Sequence, residues 1–164
     1  MTELTKLSTE QIKIFTDGAY LGNIKKAGYG VYFPNKEYKN YSRPFLHEPI
    51  TNQRAELYAI YKALLITKDT TKQIIIYTDS EYSIKRLTIC IKKWIVNNWK
   101  TANNKQVLNV DLIMKIYNLM ENRNIIFKHV RSHTNKKDWE SLCNEEVDKL
   151  AKQGALLNDQ LIRK

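Results

Sequence analysis

Glycine, proline and cysteine are all scarce in this chain of 164 residues, at five, three and two. So few glycines and prolines argue against long flexible linkers and low-complexity tails, and the sequence shows no internal repeat. The two cysteines, Cys90 and Cys143, lie far apart, with no Cys or His at metal-ligand spacing. That excludes a disulfide framework or zinc module and predicts reduced thiols in an intracellular protein. No apolar run is long enough to span a bilayer. Residues Met1 to Gln11 are polar and do not read as a signal peptide, so a cytoplasmic location without a targeting segment is expected. Acidic charge is also in deficit: 17 Asp and Glu face 27 Lys and Arg, a formal net charge of +10 with a pI near 9.5. This balance predicts attraction to a polyanion, and charge alone fits nucleic acid or an anionic membrane surface equally. The basic stretches carry no clear amphipathic insertion face, which makes the membrane the weaker reading.

What is present suits one domain. The chain is 43% hydrophobic, enough for a single core. Apolar periodicity predicts strands at about 11–16, 28–34, 38–44, 73–78 and 125–130, and helices at about 51–68, 80–91, 94–99, 107–121 and 143–157. Turn residues Gly22-Asn23 and Pro34-Asn35 join the first three strands, as antiparallel hairpins require. Beyond them strand and helix alternate, which predicts parallel crossovers. The fold class is therefore α/β, a five-stranded mixed sheet with helices on both faces. Thr51 and Ser80 are the expected N-caps of the helices that follow them.

Four acids stand within these elements. Asp17 and Asp79 sit at the expected carboxyl ends of the first and fourth strands, Glu56 one turn into the first helix, and Asp148 in the middle of the last. Ligands bind at the carboxyl edge of an open α/β sheet, so acids from two strands and two helices can converge there. Clustered carboxylates repel one another and raise one another's pKa, a cost that a divalent cation removes. An all-oxygen donor set favours Mg²⁺ or Mn²⁺ over zinc. Taken singly, each acid also has a plain structural reading, as a turn residue, a helix-dipole partner or, for Asp148, one half of a surface pair with Lys149 or Lys152.

The strings around these acids carry more information than the acids alone. Thr16-Asp17-Gly18-Ala19, Thr51-Asn52-Gln53-Arg54-Ala55-Glu56-Leu57, Tyr77-Thr78-Asp79-Ser80-Glu81-Tyr82 and Asn144-Glu145-Glu146-Val147-Asp148-Lys149-Leu150-Ala151 resemble type 1 ribonuclease H in order and near spacing. Between the last two, the stretch from Trp94 through Leu112 looks like the tryptophan-bearing basic protrusion of that family. The resemblance covers roughly residues 11 to 155. It implies the ribonuclease H-like fold, with residues 11–157 as the catalytic domain, a basic protrusion at about 85–110, a short N-terminal extension at 1–10 and a tail at 158–164.

The same resemblance implies hydrolysis of the RNA strand of RNA/DNA hybrids, independent of sequence, leaving 5′-phosphate and 3′-hydroxyl ends. Two Mg²⁺ ions, with Mn²⁺ as a substitute, would act in it. Asp17 would bridge both ions, Glu56 and Asp79 would share the one that activates water, and Asp148 would hold the one facing the leaving group. His133 would be the mobile-loop histidine that aids proton transfer or product release. The loop after it, Asn135 to Cys143, reads as longer than the family's and lacks the usual glycine. A monomer without an obligate partner, of bacterial, phage or viral source, would be the ordinary form. Two other readings remain: another nuclease of the superfamily, such as a resolvase or transposase core, and a hybrid-binding module without catalysis. The Thr-Asn-Gln-Arg-Ala-Glu string and the Trp94 region argue against the first, and the four intact acids against the second.

No acid lies between Tyr82 and Val110, while Lys85, Arg86, Lys92, Lys93, Lys100 and Lys105 surround Trp94 and Trp99. Basic charge interleaved with aromatics is the pattern of a strand-tracking groove. Trp99, Lys100 and Thr101 are candidate contacts within it. By resemblance Trp94 would pack on deoxyribose, and Thr51 and Asn109 would form a pocket for a DNA phosphate; Cys90 stands where an aromatic often precedes the tryptophan. Asn23, Asn52 and Gln53 are candidates for reading the 2′-hydroxyl. His129 reads as structural, and His47 has no context that gives it a role.

Overall fold

The strand that begins at Gln11 does not stop at the acid. β1 spans Gln11–Leu21, followed by β2 (Lys26–Tyr32) and β3 (Tyr41–Phe45). Next come α1 (Asn52–Ile66) and β4 (Gln73–Thr78). An unbroken helix over 81–96 follows, made of α2 (Glu81–Lys85), a π-helical turn (Arg86–Cys90) and α3 (Ile91–Val96). The chain continues through α4 (Val110–Met120), β5 (Ile125–His129) and α5 (Trp139–Leu156). This computed structural model describes residues 10–132 and 134–157. His133, residues 1–9 of the expected extension and the tail 158–164 lie outside the described residues.

The sheet runs in the order β3-β2-β1-β4-β5. β1 pairs antiparallel with β2 and parallel with β4, and β5 adds parallel to β4, which is the mixed sheet expected. Alternate side chains divide between two faces. Ile12, Ile14, Ile74 and Ile76 pack with residues of α1 and α4, while Phe15, Ile75 and Tyr77 meet Cys143 and Val147 of α5. Phe15 and Tyr77 stack with centroids 4.4 Å apart, and Trp139 stands edge-on to both.

Three local expectations are corrected. Asp17 is not at a strand end but in mid-strand. Pairing with β2, from Phe15↔Tyr32 to Leu21↔Lys26, carries β1 through Gly18-Ala19-Tyr20, which have no apolar alternation of their own. No separate helix covers 94–99: the first three of these residues end α3, and Asn98 and Trp99 turn the chain with φ of 59° and 61°. α5 begins four residues before the expected 143. Asp138 caps it by accepting from the Ser141 amide, and Trp139 anchors its first turn on Phe15 and Tyr77. Much of the stretch read as a lengthened loop is therefore helix.

Candidate active site

Two strands and two helices deliver the four acids. β1 and β4 run parallel as far as the pair Phe15↔Tyr77, so Asp17 and Asp79, each two residues further on, reach the same level. β4 ends at Thr78, while β1 continues along β2, with Asp17 opposite Gly30.

Two glycines let the helices close on this point. A Cβ on Gly18 would stand 2.4 Å from the Glu56 amide nitrogen and 2.6 Å from the Ala55 carbonyl carbon, so only glycine lets β1 touch the first turns of α1. A Cβ on Gly30 would stand 2.8 Å from the Val147 carbonyl oxygen, and its absence seats the Asp148 segment of α5 against β2. Thr51 caps α1, its hydroxyl accepting from the Arg54 amide at 3.1 Å, which sets the turn that carries Glu56.

The result is a carboxylate cluster. One oxygen from each of Asp17, Glu56 and Asp79 lies within 4.8 Å of the other two. Asp148 stands close enough to the trio for its charge to raise the Asp17 pKa, and it is ion-paired with Lys152 at 2.9 Å. Its other lysine neighbour, Lys149, turns to Glu146 instead. The Gly18 amide donates to Asp17 Oδ1 at 3.0 Å, and the Asn52 amide donates to Glu56 Oε1 at 3.2 Å.

The electrostatics follow from burial. Asp17 is 4% exposed, and its pKa is pushed up to about 9, first by burial and then by Asp79, Asp148 and Glu56. Glu56 rises to about 7, again through burial, with Asp79 adding to the rise and contacts to Ser80 and Asn52 opposing it. An oxygen cluster centred on buried Asp17, in which Asp17 and Glu56 resist ionising and which among the described residues contains no histidine or cysteine, fits a hard divalent cation as its missing counter-charge.

The candidate substrate residues fall into two groups. Thr51, Asn52 and Gln53 are exposed at the start of α1, and Asn23 is exposed in the turn between β1 and β2. Asn109, left-handed at φ 61°, precedes α4 and donates to the Tyr82 hydroxyl at 2.9 Å. Arg54, 3% exposed, joins these helix starts by a bidentate grip on Asp111 at 2.8 and 2.9 Å and a longer contact to Asn109 Oδ1 at 3.4 Å.

The second group is the turn after α3. Trp94 and Trp99 are half-buried against the core, and Trp99 is edge-on to Tyr117. Lys100 is exposed, and its bridge to Gln106 and the Thr101 bonds to Lys105 close a small loop. Sequence reading missed the close approaches at Gly18 and Gly30, the Arg54–Asp111 link and Tyr82. Only Lys152, one helical turn from Asp148, had a readable spacing; Arg54 and Asp111 lie 57 positions apart.

Comparison with known proteins gives this arrangement a family. The RNase H family model matches residues 9–156. The ribonuclease H of Schizosaccharomyces pombe is 41% identical over 145 residues, 87% of this chain and 52% of that protein, so the chain spans about half the length of that relative. The ribonuclease H of Orientia tsutsugamushi is 40% identical over 147 residues, 88% of this chain and 82% of that protein. Among solved structures, the foamy viral protease-reverse transcriptase in complex with RNA/DNA hybrid superposes with a TM-score of 0.74 over 88% of this chain and 20% of its own. At 20% identity that match speaks for the fold alone. With its β3-β2-β1-β4-β5 sheet and a family match running almost end to end, this chain has the ribonuclease H-like fold and belongs to the RNase H family.

Proposed function

We propose that this protein is an endoribonuclease that hydrolyses the RNA strand of RNA/DNA hybrids without regard to sequence, leaving 5′-phosphate and 3′-hydroxyl ends. The observation that carries the reading is the convergence of Asp17, Glu56 and Asp79 within 4.8 Å, with Asp148 near enough to act electrostatically on Asp17, in a chain of the RNase H family. Residues 11–157 form the catalytic domain, with the basic protrusion at about 85–110.

The four carboxylates would hold two Mg²⁺ ions, or Mn²⁺ in their place: Asp17 both, Glu56 and Asp79 one, Asp148 the other. Ions held there would supply the positive charge that polarises a phosphodiester and acidifies a water. The chain's own groups keep the ligands aimed. The Gly18 amide orients Asp17, the Asn52 amide orients Glu56, and Lys152 steadies Asp148. His133 serves proton transfer or product release.

Selection belongs to the exposed rim. Thr51 and Asn109, tied through Arg54, take a DNA phosphate, while Asn23, Asn52 and Gln53 offer amides to the 2′-hydroxyl. Trp94, Trp99, Lys100 and Thr101 carry the DNA strand by stacking and charge. The same reading makes the protein a cytoplasmic monomer without an obligate partner, which a sizing column checks. Among the described residues no helix is long and apolar enough to cross a membrane.

The test presents one labelled RNA as hybrid, as RNA duplex and as single strand, with Mg²⁺, with Mn²⁺ and with EDTA. Metal-dependent cutting of the hybrid alone is expected. Asp79→Asn should abolish it while hybrid affinity, measured in EDTA, stays close to wild type; wild-type cutting by that variant removes Asp79 from the site.

A further inference from the structure

Away from the acids, on the outer side of α1, aromatic rings and cations gather around a cleft of about 230 Å³. Tyr41 of β3 has the Arg43 guanidinium 5.4 Å from its ring centroid and the Lys62 ammonium at 5.3 Å. His47 stacks on Tyr58 with centroids 4.9 Å apart and ring planes 30° from parallel. Tyr58 also meets Tyr61, whose ring carries Lys115 at 5.7 Å.

No carboxylate among the described residues lines this cleft. Among the described residues, Arg43, Lys62 and Lys115 have no acid within ion-pair distance; Asp111, one turn before Lys115 on α4, is turned to Arg54. The local potential is positive enough to register on a neighbour: His47 binds its proton less readily than usual, through burial first and then through Lys115 and Arg54, with Asp111 opposing. Cations without an acidic partner over half-buried ring faces, beside the exposed His47, leave charge for phosphate and π-surface for a base. The volume is below the roughly 300–1,000 Å³ of a pocket that encloses a whole small molecule, and suits one ring of a longer chain.

Position supplies the rest. Tyr58 lies two turns, about 10 Å, along the same side of α1 from Thr51, and Lys62 one turn further. His47, just ahead of Thr51 in the chain, bridges the interval by its stack on Tyr58.

We propose that the cleft of Tyr41, Arg43, His47, Tyr58 and Lys62 binds single-stranded nucleic acid, holding a base against the rings and its phosphates on the cations. A single-stranded overhang running off the end of a hybrid would follow α1 from Thr51 into this cleft. The source of the strand rests on the proposed hybrid activity; the site itself does not.

The experiment measures binding in EDTA, so it is independent of cleavage. Labelled oligo-dT, oligo-U, a blunt hybrid and the same hybrid with a single-stranded overhang are titrated into wild type, Arg43→Glu, Lys62→Glu and the double variant. Both side chains sit at the surface of the fold, and thermal melts check that each variant is folded. Tyr58→Leu, which keeps an apolar group on Tyr29, is the separate test of stacking. Affinity for oligonucleotide and overhang should fall about ten-fold in the double variant and in Tyr58→Leu, the size of one lost base stack, while the blunt hybrid shifts by less than about two-fold. A larger fall with oligo-dT assigns the cleft to the DNA strand, and with oligo-U to RNA. Unchanged oligonucleotide affinity, or an equal fall on the blunt hybrid, overturns the proposal.

Discussion

At Asp17, burial and function pull in opposite directions, and pH exposes the conflict. Its folded pKa is about 9 against an ordinary 3.8, and that of Glu56 about 7 against 4.5. Both are raised, so in metal-free protein their contribution to stability is full below about pH 4. It is lost as pH climbs, through 7 for Glu56 and through 9 for Asp17. Thermal melts in EDTA should therefore show Asp17→Asn gaining on wild type as pH rises from 4 to 9, and Mg²⁺ should stabilise wild type more at pH 9 than at pH 5. Parallel pH profiles for the two proteins would mean that Asp17 ionises normally. Gly18 makes the complementary point about space. Gly18→Ala forces a Cβ to within 2.4 Å of the Glu56 amide nitrogen, so strand and helix must part. Denaturant melts should show a loss of about 1–3 kcal/mol, the usual cost of overpacking, and hybrid cleavage should drop with it because Glu56 moves off the cluster. Retention of full activity would show that the acids tolerate a wider gap. Of these two residues the sequence displayed the acid and its string; the contact that makes Gly18 necessary involves a helix some 38 positions away and has no local signature.

Among elements, legibility followed how local the cause was. β4 was readable to the residue, because Ile74-Ile75-Ile76-Tyr77 serves both faces of the sheet and needs no neighbour to declare it a strand. The Thr51 and Ser80 caps were equally local, each hydroxyl accepting from the amide three residues on. β1 outran its apolar pattern because hairpin pairing, not apolar alternation, sustains its second half. α5 began early because Trp139 finds Phe15 and Tyr77 on the sheet, partners remote in sequence. The joint between α1 and α4 is of the same hidden kind. Arg54 is 3% exposed while the Asp111 side chain is 58% exposed, so the pair is half in water. A double-mutant cycle with Arg54→Met and Asp111→Asn should give a coupling of about 1–2 kcal/mol, below that of a fully buried pair. Arg54→Met should also weaken hybrid binding, since Thr51 and Asn109 lose their common tie. Additive effects on stability would make the two helices independent.

For the whole molecule the governing quantity is charge, a formal +10 that composition alone revealed but could not place. The structure spreads it unevenly. Among the described residues, Arg43 and Lys62 at the Tyr58 cleft and Lys115 on neighbouring Tyr61 have no acidic partner, and the turn after α3 holds Lys100 exposed beside the half-buried Trp94 and Trp99. Those two tryptophans were legible as a group from the sequence. Their division between core packing and exposed surface was not, because it depends on how Tyr117 and the core meet them. Charge of this kind acts through release of counterions from the nucleic acid, so its signature is a salt slope, with each neutralised phosphate contributing about −0.9 to the dependence of log affinity on log salt. Lys100→Ala should weaken metal-free binding to hybrids of any sequence by the same factor and flatten that slope by about one unit. Trp94 packs partly by its apolar surface, so Trp94→Ala should lower affinity with the slope nearly intact. Titrations across a range of salt separate the two contributions. If Lys100→Ala leaves the slope unchanged, that lysine only solvates the turn, and the strand's phosphates are neutralised elsewhere on the basic face.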